Sequence, residues 1–406
     1  MTSYPKEKIN ILFLENLSHT AVETFKNNGY NVVTHTGALG EAELLKAIQN
    51  VHIIGIRSKT QLTEKVLKEA RKLQSIGCFC IGTNQVDLRA AEKKGIAVFN
   101  APYSNTRSVA ELVIGASILL IRRLIDKNKM AHEGVWLKES KNSHELRGKT
   151  MGIVGYGNIG TQLSVLAEAV GMHVIYYDIE TKLPLGNANA CKSLKELLQK
   201  ADIVSLHVPE KKDTEHMINR SNLKYFKPGA ILINYARGSV VDLDALADAI
   251  KKGHVGGAAV DVFPQEPEKS GDTFSSPLQG LPNVFLSPHI GGSTEEAQAN
   301  IGVDVSSKLL NFLESGVTYG CITIPALSLP LHPNSHRILH IHKNMPGVLS
   351  AINTELSKHD INIVGQYLKT NETIGYVVLD IDKKISNKAL DLLKHVKETI
   401  KVRLLY

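Results

Sequence analysis

Cysteine is scarce: four residues in a chain of 406 cannot frame a disulfide scaffold. Two of them, in Cys78-Phe79-Cys80, fall in an apolar run that reads as a strand with both thiols on one side, so core packing is expected and no metal or redox chemistry. Long hydrophobic runs are missing too. The longest, Leu112 to Ile121, falls short of the roughly 20 residues of a membrane span and is bounded by Glu111, Arg122 and Arg123. Met1 to Asn10 carries Lys6, Glu7 and Lys8 and lacks an apolar stretch of signal-peptide length, which predicts a cytoplasmic protein with no membrane partner. Charge of one sign is only slightly in excess. The formal +7 comes from 47 basic residues scattered among 40 acidic ones, which argues against nucleic acid and for an anionic small-molecule partner.

What is present is an ordinary soluble composition, 43% hydrophobic and 21% charged, in a chain too long for one core. From Ile9 to Asn100, short β-rich runs alternate with helical stretches: Ile9 to Leu14, Asn31 to Thr34, His52 to Ile56, Ser75 to Ile81 and Ile96 to Phe99. That alternation predicts an α/β, doubly wound layer, with Asp87 as a helix N-cap. A long helix over Ser108 to Met130 leads out of it. A second α/β series starts at Thr150, with strands near Ile153, Ile175, Ile203, Ile231, Ala259 and Val284. Thr294 to Glu314 has helical spacing, and Ile322 to Pro333 is Pro-rich and linker-like. Arg337 to Tyr406 then reads strand, helix, strand, strand, helix, strand, the ferredoxin-like βαββαβ order. The expected domains are 1–104 with 293–331, then 105–292, then 332–406.

Gly155-Tyr156-Gly157-Asn158-Ile159-Gly160 follows one predicted strand and opens a helix, the context in which a glycine-rich turn binds a dinucleotide. Glycines allow the tight turn and close backbone approach, while the helix N-terminus offers free N–H groups to a pyrophosphate. The next strand ends in Asp178, where a carboxylate can bind ribose hydroxyls and repel a 2′-phosphate, so NAD is the expected cofactor.

Three polar residues close later strands of the same series: Arg237 in Asn234-Tyr235-Ala236-Arg237-Gly238, Glu266 in Asp261-Val262-Phe263-Pro264-Gln265-Glu266, and His289 in Ser287-Pro288-His289-Ile290-Gly291-Gly292. That edge of an open α/β sheet binds ligands. A cation to hold a carboxylate, a base to take a hydroxyl proton and an acid to tune the base are what hydroxy-acid oxidation requires.

These stretches resemble the D-isomer-specific 2-hydroxyacid dehydrogenase family, in particular bacterial members acting on 3-phosphoglycerate with a C-terminal ACT regulatory domain. The likeness runs through Ile76 to Asp87, Asn100-Ala101-Pro102, Ser104 to Ser108 and His289 to Thr294. The resemblance implies that Arg237 orients the substrate carboxylate, that His289 is the acid/base and that Glu266 raises its pKa. It places Asn158, Ile159, Asp178, His207, Tyr235, Ala236, Asp261, Gly291 and Gly292 at the cofactor, with Arg237 and His289. It assigns a substrate phosphate to Arg57, Ser58, Asn105 and Gln298, presented at a domain cleft, with Lys138 beside Trp136 reaching in from another subunit of a homotetramer. His342, Asn344 and Asn362 match positions that bind serine as an effector; alone, His340-x-His342 suggests metal only faintly.

Two departures from that pattern stand out. Thr36 replaces a lysine just before Gly37-Ala38-Leu39, which predicts weaker phosphate affinity, and Leu331-His332-Pro333-Asn334-Ser335 replaces a paired-glycine hinge. Rival readings are a hydroxypyruvate or glyoxylate reductase, D-lactate dehydrogenase, and an NAD-sensing corepressor that binds without turnover.

Overall fold

A computed structural model describes residues 5–267, 271–330, 332 and 334–405. Of the altered hinge, Leu331 and Pro333 lie outside the described residues. The chain divides into two compact units, Met1–Ser104 with Gln298–Tyr406, and Asn105–Ala297.

The first unit opens with five parallel strands, β1 (Ile11–Phe13), β2 (Val32–Thr34), β3 (Ile53–Ile56), β4 (Ser75–Cys78) and β5 (Ala97–Asn100), in the order β2-β1-β3-β4-β5. Every residue of β3 and of β4 is buried, as a parallel sheet covered on both faces requires. Asp87 caps its helix as expected, its Oδ1 accepting from the Ala90 N–H at 2.9 Å. The strand expected over Ser75 to Ile81 instead stops at Cys78. Cys80 sits in the turn beyond, its thiol donating to the Arg57 and Gly82 carbonyls, so the two thiols do not share a strand face. Burial pushes the Cys80 thiol up to about 11 and Cys78 higher still, which keeps both protonated and unreactive. All four cysteines are free.

The second unit is a seven-stranded parallel sheet: β6 (Thr150–Val154), β7 (His173–Tyr177), β8 (Asn189–Ala190), β9 (Ile203–Leu206), β10 (Ala230–Asn234), β11 (Val255–Val260) and β12 (Val284–Leu286). The order β12-β11-β10-β9-β6-β7-β8 reverses direction between β6 and β9. β8, two residues long, carries too short a pattern to be seen in sequence. The long helix expected over Ser108 to Met130 is two helices, Thr106–Ile121 and Leu124–His132. Arg123 breaks it in a left-handed conformation at φ 52°, and the His144 N–H takes the Ile121 carbonyl that a continuous helix would use.

The chain returns to the first unit through the helix Glu295–Ser315, whose Ile301, Val305, Leu309 and Phe312 enter the core of the five-stranded sheet. Four antiparallel strands follow, β13 (Ser335–Lys343), β14 (Ile363–Thr370), β15 (Ile374–Asp382) and β16 (Thr399–Leu405), in the order β14-β15-β13-β16. With the helices Val348–Lys358 and Ser386–Lys394 they complete the βαββαβ pattern. One face packs on those helices through Ile338, Val377 and Leu379, while Leu339, Ile341, Tyr376 and Val378 on the other join the core of the first sheet. Among the described residues no helix is long and apolar enough to cross a membrane.

Arg337 fastens this C-terminal sheet. Its guanidinium donates to both Asp380 oxygens at 2.7 and 2.8 Å and to the Ser315 and Pro330 carbonyls, and Asp380 is 1% exposed. Removing one partner of a buried pair strands the other charge. Arg337→Ala is therefore expected to lower the unfolding free energy by about 3–5 kcal/mol in urea titrations. The double variant Arg337→Met, Asp380→Leu loses less, because no charge is left buried alone.

Candidate active site

The cofactor end of the site begins at β6. Gly155 turns the chain at φ 91°, where a Cβ would lie 2.6 Å from the His207 carbonyl, and a Cβ on Gly160 would lie 2.3 Å from the Gly155 carbonyl. Gly157 differs: nothing lies within 4 Å of its Cβ position, and it caps the helix Asn158–Ala169 with no side chain over the free N–H groups. Two glycines thus make the turn and the third leaves its mouth open, which suits a pyrophosphate at Asn158 and Ile159. Asp178 follows β7, half-buried, its Oδ2 accepting from the Tyr156 N–H at 2.8 Å and its Oδ1 from the Glu180 N–H at 2.9 Å. Both oxygens keep lone pairs for ribose hydroxyls.

On the far side of the strand reversal, the His207 Nε2 meets the Ser205 hydroxyl at 2.8 Å while the buried Nδ1 has no partner. Desolvation lowers its pKa to about 3, so the ring is neutral. Tyr235 and Ala236 are buried after β10, and the Tyr235 hydroxyl is likewise without a partner. The unpaired buried Nδ1 of His207, in the turn against Gly155, fits a bound dinucleotide.

The reactive end is built by three strand ends. The fully buried Asn234 donates to the Arg237 carbonyl at 3.0 Å and accepts from the Ala236 N–H, which fixes the turn carrying Arg237. Gly238 brings that turn against the next: a Cβ there would lie 2.0 Å from the Phe263 carbonyl carbon. Glu266 Oε1 accepts from the Phe263 N–H at 3.0 Å, and its Oε2 meets the His289 Nδ1 at 2.8 Å. The His289 backbone is left-handed at φ 53°, a strained state for this residue. Asp261, 2% exposed, holds it there. Its carbonyl accepts from the His289 N–H, its Oδ1 from the Ser287 hydroxyl and the Ile290 N–H, and its Oδ2 from the Gly291 N–H at 2.7 Å.

The hydrogen bond that His289 donates to Glu266 raises the His289 pKa against the opposing pull of burial and of the Arg237 charge. For Glu266, burial pushes upward, but the His289 bond, the Phe263 N–H and Arg237 outweigh it and the carboxyl ends below its usual value. Arg237, Glu266 and His289 thus stand within electrostatic reach of one another, with Arg237 half-buried and its Nη1 on the Ala236 carbonyl at 2.7 Å.

The family model for the D-isomer specific 2-hydroxyacid dehydrogenase, NAD binding domain, matches residues 114–291, and an AHAS small subunit-like ACT domain matches 338–401. A D-3-phosphoglycerate dehydrogenase of Escherichia coli strain K12 is 52% identical over 407 aligned residues, 100% of this chain and 99% of that one; one from Dictyostelium discoideum is 48% identical over 405. This chain belongs to the D-isomer specific 2-hydroxyacid dehydrogenase family. Among solved structures, the Aquifex aeolicus D-lactate dehydrogenase complexed with NAD and lactic acid aligns with TM-score 0.67 at 28% identity, covering 78% of this chain and all of that one. A D-2-hydroxyisocaproate dehydrogenase aligns at 0.70 and 26%, with the same coverage. The chain is an NAD-dependent oxidoreductase.

The remaining expected residues fall in both units of this dehydrogenase. Arg57 is half-buried and Ser58 exposed after β3, and Gln298 is half-buried on the helix Glu295–Ser315. In the other unit Asn105 is buried with its Oδ1 unpartnered, its Nδ2 closely approached by Gly292, and Lys138 is exposed beside Trp136. In the C-terminal sheet Asn344 and Asn362 are exposed, but His342 is buried, its ring against Gly375 and its Nδ1 3.3 Å from that of His340. No group of three metal-ligating side chains occurs among the described residues.

Sequence reading missed Asn234, although an asparagine closing the apolar run Ala230 to Ile233 was a signal, since a buried amide must be satisfied. It gave Asp261 a place at the cofactor but not its part in the His289 loop, to which its carboxylate makes three hydrogen bonds and its carbonyl a fourth. For Asp178→Ala, loss of charge-assisted hydrogen bonds is expected to weaken NADH about tenfold and narrow the preference over NADPH. Fluorescence titration with the two reduced cofactors measures both.

Proposed function

We propose that this enzyme oxidises 3-phospho-D-glycerate to 3-phosphohydroxypyruvate with NAD, the first step of L-serine biosynthesis, in the cytoplasm. The observation that carries the chemistry is the His289–Glu266 hydrogen bond at 2.8 Å with Arg237 alongside. The substrate is assigned from the full-length likeness to D-3-phosphoglycerate dehydrogenases.

Bound NAD supplies the hydride acceptor. Arg237 holds the substrate carboxylate through its fork of donors. His289, with Nδ1 committed to Glu266, takes the hydroxyl proton on Nε2, and Glu266 stabilises the imidazolium that forms. In the reverse direction the same raised pKa keeps His289 protonated as the acid. Arg57, Ser58 and Gln298 are assigned to the substrate's phosphate.

We assign three domains, with 1–104 and 293–331 binding substrate, 105–292 binding NAD and 332–406 as the ACT domain, and infer a homotetramer with L-serine as effector. The ACT sheet leaves β14 as an edge strand exposing Val364 and Leu368, an unpaired edge suited to association. Asn344 and Asn362 are open to an effector, whereas His342 offers little surface. Serine inhibits only by favouring one arrangement of the chain over another, so binding and inhibition are separable.

His289→Ala is expected to cut turnover with NADH and phosphohydroxypyruvate roughly 10²- to 10⁴-fold while NADH binding stays near wild type. Wild-type turnover would remove His289 from the chemistry, and absence of turnover in the wild type would favour an NAD-sensing binding protein. Calorimetry with L-serine is expected to show heat that Asn344→Ala abolishes; equal heat in both proteins would place the effector elsewhere.

A further inference from the structure

The loop after β3 that carries Arg57 and Ser58 is clamped from two sides by side chains the chemistry above does not use. Glu15, at the end of β1, is 8% exposed, and its carboxylate accepts two backbone N–H groups, Lys59 at 3.0 Å on Oε2 and Thr60 at 2.8 Å on Oε1. Its own backbone is left-handed at φ 64° and tied to the turn containing Thr36 through the Gly37 carbonyl at 3.1 Å. From the other side, Gln85 donates its amide to the Arg57 carbonyl at 2.6 Å, and the Cys80 thiol points to the same oxygen. Gln85 is 7% exposed.

The Arg57 carbonyl and the Lys59 and Thr60 N–H groups are therefore committed inward, to a buried amide and a buried carboxylate. The side chains between them are not. The Arg57 guanidinium has no hydrogen bond or ion pair among the described residues, and Ser58 is exposed. β1 and β3 flank the point where the order β2-β1-β3-β4-β5 reverses, the place in an open α/β sheet where ligands bind. A buried carboxylate beside an anion site is costly unless its hydrogen bonds are needed, and both of its oxygens are used on this loop.

We propose that Glu15 and Gln85 are specificity-determining positioning residues that lock the Arg57-Ser58 segment in the backbone conformation presenting its guanidinium and hydroxyl to the phosphate of the substrate. The proposal rests on the assignment of that phosphate to Arg57 and Ser58. Glu15→Gln keeps the shape but puts an amide donor where one of two N–H groups needs an acceptor, and Gln85→Met removes the donor to Arg57.

The test compares NADH-dependent reduction of 3-phosphohydroxypyruvate with that of unphosphorylated hydroxypyruvate. Both variants are expected to raise KM for the phosphorylated substrate roughly tenfold, as small misplacements of a positioning group do, with kcat within about twofold. KM for hydroxypyruvate stays at the wild-type value. A merely structural role would raise both constants together, and that result overturns the proposal. Arg57→Ala separates the two layers. If it loses the discrimination and both clamp variants keep it, the clamp alone is refuted; if Arg57→Ala itself discriminates as wild type does, the phosphate assignment fails and takes the clamp with it. Two independent substitutions guard against one that fails to fold, with NADH binding as the check on the second unit.

Discussion

The hydrogen bond between Glu266 and His289 is the interaction on which the proposed active site depends, and Asp261 supports it by holding the histidine in a backbone state it would not choose. A left-handed non-glycine residue costs of order 1–3 kcal/mol. One carboxylate repays it with three hydrogen bonds to the same loop, and its own carbonyl adds a fourth. The conformation sends Nδ1 to Glu266, which fixes the tautomer and raises the pKa. Arg237 comes into reach because Gly238 lets its turn lie against the Phe263 carbonyl. The proposed base, tuning acid and carboxylate clamp are thus three strand ends of one sheet, fastened by hydrogen bonds of carboxylate, amide and main-chain groups rather than by apolar packing.

Both α/β sheets solve the same problem at the point where their strand order reverses. In the second unit the turn after β6 lies against the turn after β9, with Gly155 permitting contact at the His207 carbonyl. In the first unit the turn after β1 reaches the turn after β3 through Glu15 and the Lys59 and Thr60 N–H groups. One reversal uses the absence of a side chain to leave room, and the other uses a buried charge to hold a loop. Each leaves an open surface beside a fixed backbone.

Most of the proposed site was legible in the sequence, because its signals are local. The glycine turn, Asp178 eighteen residues beyond Gly160, and Arg237, Glu266 and His289 just past strand ends each need only a short window. Features made by tertiary contact were not legible. Nothing near Glu15 announces its bonds to residues 59 and 60, and Asp261 looks like any acid after a strand until the Ser287 loop folds over it. Arg123 sits in a helical pattern that the Ser143 hydroxyl and the His144 N–H interrupt by taking the Arg122 and Ile121 carbonyls. The C-terminal sheet showed its strand order in sequence. Its second apolar face, Leu339, Ile341 and Tyr376, did not, because both faces of β13 and β15 are buried and the apolar run does not alternate.

The pH dependence of phosphohydroxypyruvate reduction in Glu266→Gln tests the central claim most directly. In the proposed mechanism reduction needs His289 protonated, and the carboxylate is what raises its pKa, so activity is expected to fall as pH rises through that value. With the charge removed, the alkaline limb of kcat/KM moves to lower pH while NADH affinity is kept. An alkaline limb at the wild-type position, in a variant that still binds NADH, would contradict the account.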